Sequence, residues 1–356
     1  AAALFPFNFV YIIFLVFLAS IFDIRVLMVV SVIAVAAQIV IQIPSLRKSG
    51  YRYRFILDFK DVYVNKMMYL IPPVLVSATV SDLNKIVDKS MASNLVDGSI
   101  SSLQYGSRIN GLVQGTFISA ITTVIYPMIS QDASGDNHDG LKRTVIYSMN
   151  VIMLITIPAT IGMIVLANPI VKVAFERGAF DSRATYMTVG ALVFYSIGLV
   201  ASSMKSMVNR VYYCLQDTKT PMINSFITLG INIVLNLVFI RFMAHKGLAL
   251  ATSISSIVTL LYLLYKLRLK LGAFGFLKSV KCGLKSLAAA VVMGLLVYFL
   301  YPLLSGIIVG GSLSHLIALL ISAGVGALVY AVLIYIFKID EVEWIIGVVI
   351  GRLRRG

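Results

Sequence analysis

The chain has 356 residues, 59% hydrophobic and 13% charged, with a mean hydropathy of +0.94. Soluble domains carry about 25% charged residues, so this composition excludes an ordinary soluble enzyme. Its long apolar runs exclude a disordered chain and an alternating outer-membrane barrel. The net charge is +15, from 30 Lys and Arg against 15 Asp and Glu. Most of these bases fall in short loops, where they read as topology determinants and contacts to anionic membrane lipids rather than to nucleic acid.

An all-α, polytopic transmembrane helical bundle is therefore expected. The chain opens on Ala1-Ala2-Ala3-Leu4 with no Met and no charged leader, and reads as a fragment of a longer membrane protein. Ten apolar segments follow, at about 4–22, 26–43, 67–92, 101–129, 144–166, 185–214, 222–242, 247–265, 283–304 and 314–337. Pro72, Pro73, Pro127 and Pro158 lie inside or near the ends of spans, where prolines are tolerated. Nineteen of the thirty bases lie on the face that holds the 44–66 loop. Six lie on the other face, and this bias places both termini in the cytoplasm. Cys214 and Cys282 form no CxxC or metal spacing and are expected as free thiols.

The remaining five bases, Lys85, Lys89, Arg108, Lys205 and Arg210, lie within spans. Charges there cost at least about 2.5–3.5 kcal/mol each on insertion scales, so they mark candidate sites. In the third span Asp82, Lys85 and Lys89 share a stripe at 100° per residue, with Asn84 and Asp88 on its flank. Two readings compete: pairing within the helix, or one wall of a hydrated cavity for a charged substrate. Arg108, in the fourth span, has no acid within one turn of its own helix. Either it pairs with Asp82 or Asp88 across the helix interface, or it binds an anion such as phosphate.

The segment 168–178 alternates apolar and charged residues, as a short surface amphipathic helix or an ordinary loop would. Lys205 and Arg210 lie near the end of the sixth span, either snorkelling to headgroups or contacting a phosphate. Asn232 and Asn236 stand at i and i+4 in the seventh span, with Thr252 in the eighth. Such groups glue helices together, or offer oxygens to a hard cation such as Na⁺. No HExxH, P-loop or GxSxG motif occurs, so a non-enzyme is expected.

Four stretches, in order, resemble the MurJ/MviN family, the lipid II flippases of the MOP superfamily. They run from Gln104-Tyr105-Gly106-Ser107-Arg108 to Tyr126-Pro127-Met128-Ile129-Ser130, then Val173 to Phe180 ("VAFERGAF"), then Tyr212 to Pro221 ("YYCLQDTKTP"), then Gly247 to Ser253 ("GLALATS"). The resemblance implies fourteen helices in a full-length protein: a six-helix N-lobe, a six-helix C-lobe and two helices forming a lipid-facing groove. The ten spans here would be helices five to fourteen. On that scheme 1–43 ends the N-lobe, 44–66 is a basic inter-lobe loop, 67–265 is the C-lobe, and 266–356 holds the groove helices and a cytoplasmic tail.

The resemblance further implies a bacterial cytoplasmic-membrane protein that flips lipid II by alternating access through a cationic cavity, with cell-wall synthesis proteins as partners. Arg108 matches the family's essential cavity arginine, and Ser107 stands where relatives often carry an acid. Lys85, Lys89, Asp82, Lys205 and Arg210 join it as candidate substrate contacts. Asp88, Asn232, Asn236, Leu248 (through its carbonyl) and Thr252 fall on the pattern of a sodium site. Asn236 stands where relatives can carry Asp, so this chain has one fewer charge there. The alternatives are another oligosaccharide-lipid flippase of the superfamily or a cation-coupled drug antiporter.

Overall fold

A computed structural model describes residues 4–18, 22, 24–48, 50, 61–135, 138–273, 275–307 and 312–339. The N-terminal Ala1-Ala2-Ala3, residues 49 and 51–60 of the 44–66 loop and the tail beyond 339 lie outside these. All regular structure among the described residues is helical. The chain divides into two compact units, Ala1–Asn65 and Lys66–Gly356.

In the first unit, α1 (Leu4–Ile13) passes into a π-helical turn (Phe14–Leu18). It packs against α2 (Ile24–Lys48), and the Tyr11 and Ser31 hydroxyls are hydrogen-bonded.

The second unit holds α3 (Val62–Ala92, from Lys66 onward), α4 (Ser99–Val113), a second π-helical turn (Gln114–Ile118), α5 (Ser119–Ser134) and α6 (His138–Val165). There follow α7 (Ala167–Phe175), α8 (Ser182–Ile197), α9 (Leu199–Cys214) and α10 (Lys219–Met243). The last three are α11 (His245–Leu271), α12 (Phe276–Ile307) and α13 (Ser312–Ile336).

Helix α3 runs unbroken through Pro72 and Pro73, as membrane helices permit. The packed centre is formed by α6, α9 and α11. Their apolar faces bury Val145, Met149, Ile152, Met207, Val211 and Leu263. Tyr212 sits among them and donates to the Leu263 carbonyl at 2.9 Å. Helices α12 and α13 attach to α6 through Tyr330, whose hydroxyl donates to the Leu154 carbonyl at 2.8 Å and is 2.7 Å from Ser286 Oγ.

Among the described residues, seven helices are long and apolar enough to cross a membrane, or eight if α8 and α9 form one bent span. The expected 4–22 span is described only to Leu18 and forms a shorter apolar helix, Pro6–Leu18, and the expected 101–129 span is interrupted by a π-helical turn. The 185–214 span breaks at Gly198, where α8 and α9 meet at 48°. A Cβ at Gly198 would lie 2.6 Å from Ser253 Oγ and 2.7 Å from its Cα, so the bend depends on the missing side chain. Ser253 Oγ donates to the Phe194 carbonyl at 2.6 Å, occupying a carbonyl near the break.

Other helices extend past their apolar runs. α12 begins at Phe276 rather than near 283, carrying Lys278 and Lys281 from the expected loop onto a helix. Lysine is a good helix former, and hydropathy is blind to that. The 168–178 segment is helical through Phe175 as α7 and leaves the helix at Glu176. Its Ala167, Pro169 and Val171 are buried, and it packs on α6, α8 and α13.

Candidate functional site

Two polar arrangements adjoin at the end of α3. The first is a cavity of about 200 Å³ between α3, α4 and α8, lined by Lys85, Lys89, Asp88, Ser107, Arg108 and Tyr195 among others. Three cations face one acid in this lining.

The helix α3 stripe places Lys85 and Lys89 one turn apart. Arg108 comes from α4, whose position is fixed by a ring cluster just before it. Tyr105 lies 4.6 Å from Phe175 and 5.2 Å from Phe180, centroid to centroid. Phe175 ends α7, and Phe180 sits in the turn before α8. That turn is closed by Asp181, which accepts from the Ala184 N–H at 2.8 Å, and by Glu176, which accepts from the Thr185 hydroxyl at 2.7 Å. The "FERGAF" stretch thus anchors the turn of α4 that carries Arg108.

Both sequence readings of the stripe have a counterpart. Lys85 Nζ donates to Asp82 Oδ1 at 2.8 Å, on side chains that are each 70% exposed. An ion pair this open contributes little to stability. Arg108 is paired with neither Asp82, which meets Lys85, nor Asp88, which is engaged elsewhere. Among the described residues, Lys89 and Arg108 have no carboxylate partner. Lys205 and Arg210 do not line the cavity. They sit on α9 beyond the Gly198 bend, and of that helix Ser202 lines only the neighbouring pocket.

The second arrangement is half-buried to buried. Asn236 Nδ2 donates to Asp88 Oδ1 at 2.6 Å and to Asn232 Oδ1 at 2.8 Å. Thr252 Oγ1 lies 3.4 Å from Asp88 Oδ2 and donates to the Leu248 carbonyl at 3.0 Å. Asn232 Nδ2 reaches Thr252 Oγ1 at 3.3 Å. Asn232, Asn236 and Leu248 are fully buried. All five residues that the resemblance joined therefore meet, across α3, α10 and α11.

The cluster offers carboxylate, amide, hydroxyl and carbonyl oxygens, a donor set suited to a hard cation. Asn236 Oδ1 is buried without a hydrogen-bond partner. Turning that amide over would aim its oxygen into the cluster in place of the N–H that now meets Asp88. The residues fit a small cation on these grounds.

Tyr195 lies in the lining of the cavity and of a second pocket, of about 160 Å³, that reaches Thr252. In that pocket Gln114 donates to Ser202 Oγ at 2.7 Å, and Asn110 Nδ2 is buried with no partner. Tyr195, Asn110 and Gln114 escaped the sequence reading. For Asn110 and Gln114 the one signal was polarity at 107, 110 and 114, a helical spacing along the fourth span.

The "DTKTP" stretch closes the turn between α9 and α10. Asp217 accepts from the Thr220 N–H at 3.0 Å, from its hydroxyl at 2.8 Å, and from Lys270 Nζ at 3.0 Å. Burial pushes the Asp217 carboxyl up, but the Thr220 N–H, Lys270 and the Thr220 hydroxyl outweigh it and hold the group below its ordinary value.

The family model described as "Lipid II flippase MurJ" matches residues 1–337. A probable lipid II flippase MurJ of Vibrio cholerae is 37% identical over 229 residues, which is 64% of this chain and 43% of the relative. A Haemophilus influenzae relative of the same description is 33% identical over 74% of this chain and 53% of its own length. The chain thus spans about half the length of the curated relatives it matches. A solved lipid II flippase MurJ in an inward closed conformation superposes with a TM-score of 0.71 at 29% identity, covering 95% of this chain and 67% of that one.

Proposed function

The chain belongs to the Lipid II flippase MurJ family and is a multi-pass inner-membrane protein; on those premises we propose that it forms the larger part of a transporter that flips lipid II to the outer leaflet. The observation that carries the proposal is the cavity where Arg108 and Lys89, without carboxylate partners among the described residues, stand beside Lys85. A diphosphate is the anion that a guanidinium fork and adjacent ammonium groups match. An antiporter of cationic drugs would call for the opposite lining.

In this reading the headgroup enters the Arg108 cavity, which opens by alternating access to one face of the membrane and then the other. The undecaprenyl tail stays outside, along an apolar groove of about 590 Å³ whose lining includes Phe117, Pro158, Met293, Val297, Leu320 and Tyr330. Arg108 and Lys89 hold the diphosphate, and Lys85 joins when Asp82 releases it. Asp88, Asn232, Asn236, the Leu248 carbonyl and Thr252 hold Na⁺, which would supply a driving gradient. Asp88 is on the same helix as Lys85 and Lys89, so a change at either site is felt at the other through α3. The membrane potential adds about 2.3 kcal/mol per charge per 100 mV. No covalent step is required, which makes the protein a transporter rather than an enzyme. The charge bias orients the C-terminus to the cytoplasm.

The test is rescue of a bacterium depleted of its own flippase by the full-length parent gene. Arg108→Ala is expected to abolish growth with the protein level unchanged. Full rescue by that variant would remove Arg108 from the site. For the ion, substrate binding should respond to Na⁺ in the wild type and not in Asp88→Asn; equal responses would reject the sodium site.

A further inference from the structure

A second basic site lies at the far end of the fold from Arg108 in sequence, where the start of α12 meets the end of α13. Lys278, Lys281, Lys285 and Lys338 line a pocket of about 200 Å³ with Asn150 and Cys282. We propose that this pocket binds the phosphate of an anionic phospholipid headgroup. The inference uses only the membrane-spanning character of the chain, and it stands or falls apart from the flippase reading.

Three of the lysines are built onto one helix face. Positions 278, 281 and 285 follow a spacing of three and four, which puts them on one side of α12. The fourth is brought in by a specific contact. Lys285 Nζ donates to the Phe337 carbonyl at 2.7 Å and to the Lys338 carbonyl at 3.3 Å. It thereby caps the end of α13, where free carbonyls and the helix dipole favour a cation. The turn it holds carries Lys338, whose backbone adopts a φ of +47°.

Lys285 is thus occupied as a staple, and Lys278, Lys281 and Lys338 are left for a ligand. Among the described residues none of the four meets a carboxylate, and none of the pocket-lining residues is acidic. Four ammonium groups around so small a space repel one another unless an anion sits among them. The positive end of the α12 dipole adds to the potential.

The surroundings favour a lipid over a soluble phosphate. At 1.5 Å per residue the 32 residues of α12 are about 48 Å long. A hydrocarbon core is about 30 Å thick, so one end of the helix, with its lysines, reaches the headgroup layer. Beside the lysine face the same helix leaves Leu277, Val280 and Leu284 exposed, two of them by more than half. An acyl chain lying on that apolar strip would place its phosphate over Lys278 and Lys281.

The experiment is a lipid titration of the purified full chain, read by native mass spectrometry, with phosphatidylglycerol, phosphatidylcholine and inorganic phosphate as probes. The wild type should bind phosphatidylglycerol about tenfold more tightly than phosphatidylcholine, and Lys278→Gln with Lys281→Gln should remove that preference. Lys278→Arg with Lys281→Arg should keep it within about twofold, as should the control pair Lys142→Gln with Arg143→Gln. Four results would overturn the proposal. One is equal binding of the two lipids by the wild type, as when Asp340, Glu341 and Glu343 further along the chain already neutralise the lysines. Another is an unchanged preference in the glutamine pair. The third is loss in the arginine pair as well as the glutamine pair, which would make the effect structural. The last is full displacement of phosphatidylglycerol by millimolar inorganic phosphate, which would assign the pocket to a soluble anion.

Discussion

The last turns of α3 serve two neighbouring environments that treat charge in opposite ways. Asp88 is drawn into a closed knot with Asn236, Asn232 and Thr252. Lys85, nearly one turn before it, and Lys89, the next residue, stand in an open lining with Arg108. The half-buried acid is met by the neutral Asn236 amide and the Thr252 hydroxyl. The open cations of Lys89 and Arg108 have no carboxylate partners among the described residues. A polar group that is meant to stay put is surrounded by partners. Charge left accessible and uncompensated is what a ligand can use.

The contrast can be broken by variants whose effects should fall in order. Asp88→Ala removes the acceptor at the centre of the knot and leaves one Asn236 N–H short of a partner, while the Thr252 hydroxyl keeps the Leu248 carbonyl. It should destabilise the protein by about 3 kcal/mol, read as loss of thermal stability in detergent. A neutral result would mean that water reaches the cluster. Gly198→Ala should cost about 2 kcal/mol, because its Cβ would press on Ser253 and push α11 away from the α8 bend. That displacement moves Thr252, one residue before, and so should weaken any Na⁺ response while leaving anion binding at Arg108 unchanged. Equal damage to both would show that the two environments are one.

Asp217 calibrates the comparison, being an acid paired with a lysine outside the spans. Its folded-state pKa is depressed below the ordinary 3.8. Its contribution is therefore present above that value and is lost as pH falls through the lower folded one. Lys270→Ala should lower stability by under about 1 kcal/mol at neutral pH. The difference from wild type should close in more acidic thermal scans. Smallest of all, Lys89→Gln should change stability by no more than about 0.5 kcal/mol, while clearly weakening binding of a diphosphate lipid. A variant that unfolds would place Lys89 in the structural class with Asp88.

What could be read in the sequence follows from the same physics. Asp88, Asn232, Asn236 and Thr252 were visible because polar groups inside apolar spans are costly and stand out. That they meet was implied by the resemblance, since spacing relates residues within a helix and not across three. Arg108 was visible as a lone base. Its lack of a carboxylate partner was not, because Asp82 and Asp88 were both within imaginable reach. Tyr195 gave no signal, for an aromatic in the run Val193-Phe194-Tyr195 looks like any lipid-facing or core residue. The break at Gly198 and the two π-helical turns were invisible to hydropathy, which averages over a window and is blind to backbone geometry. Lys205 and Arg210 drew attention as charges within a span, and they lie on α9 beyond the Gly198 bend, outside the lining of the Arg108 cavity.

The π-helical turn at Gln114–Ile118 has a consequence of its own. Ser107, Asn110, Gly111 and Gln114 line the polar pocket. By α-helical spacing Ile118, Ile125 and Ile129 would fall on that same side. They are instead buried in the apolar centre with α6 and α9. One additional residue in the turn advances everything after it by roughly a quarter rotation. It acts as a phase shift in the helical wave, letting a wet lining and a dry seam occupy one continuous span without ever running into each other.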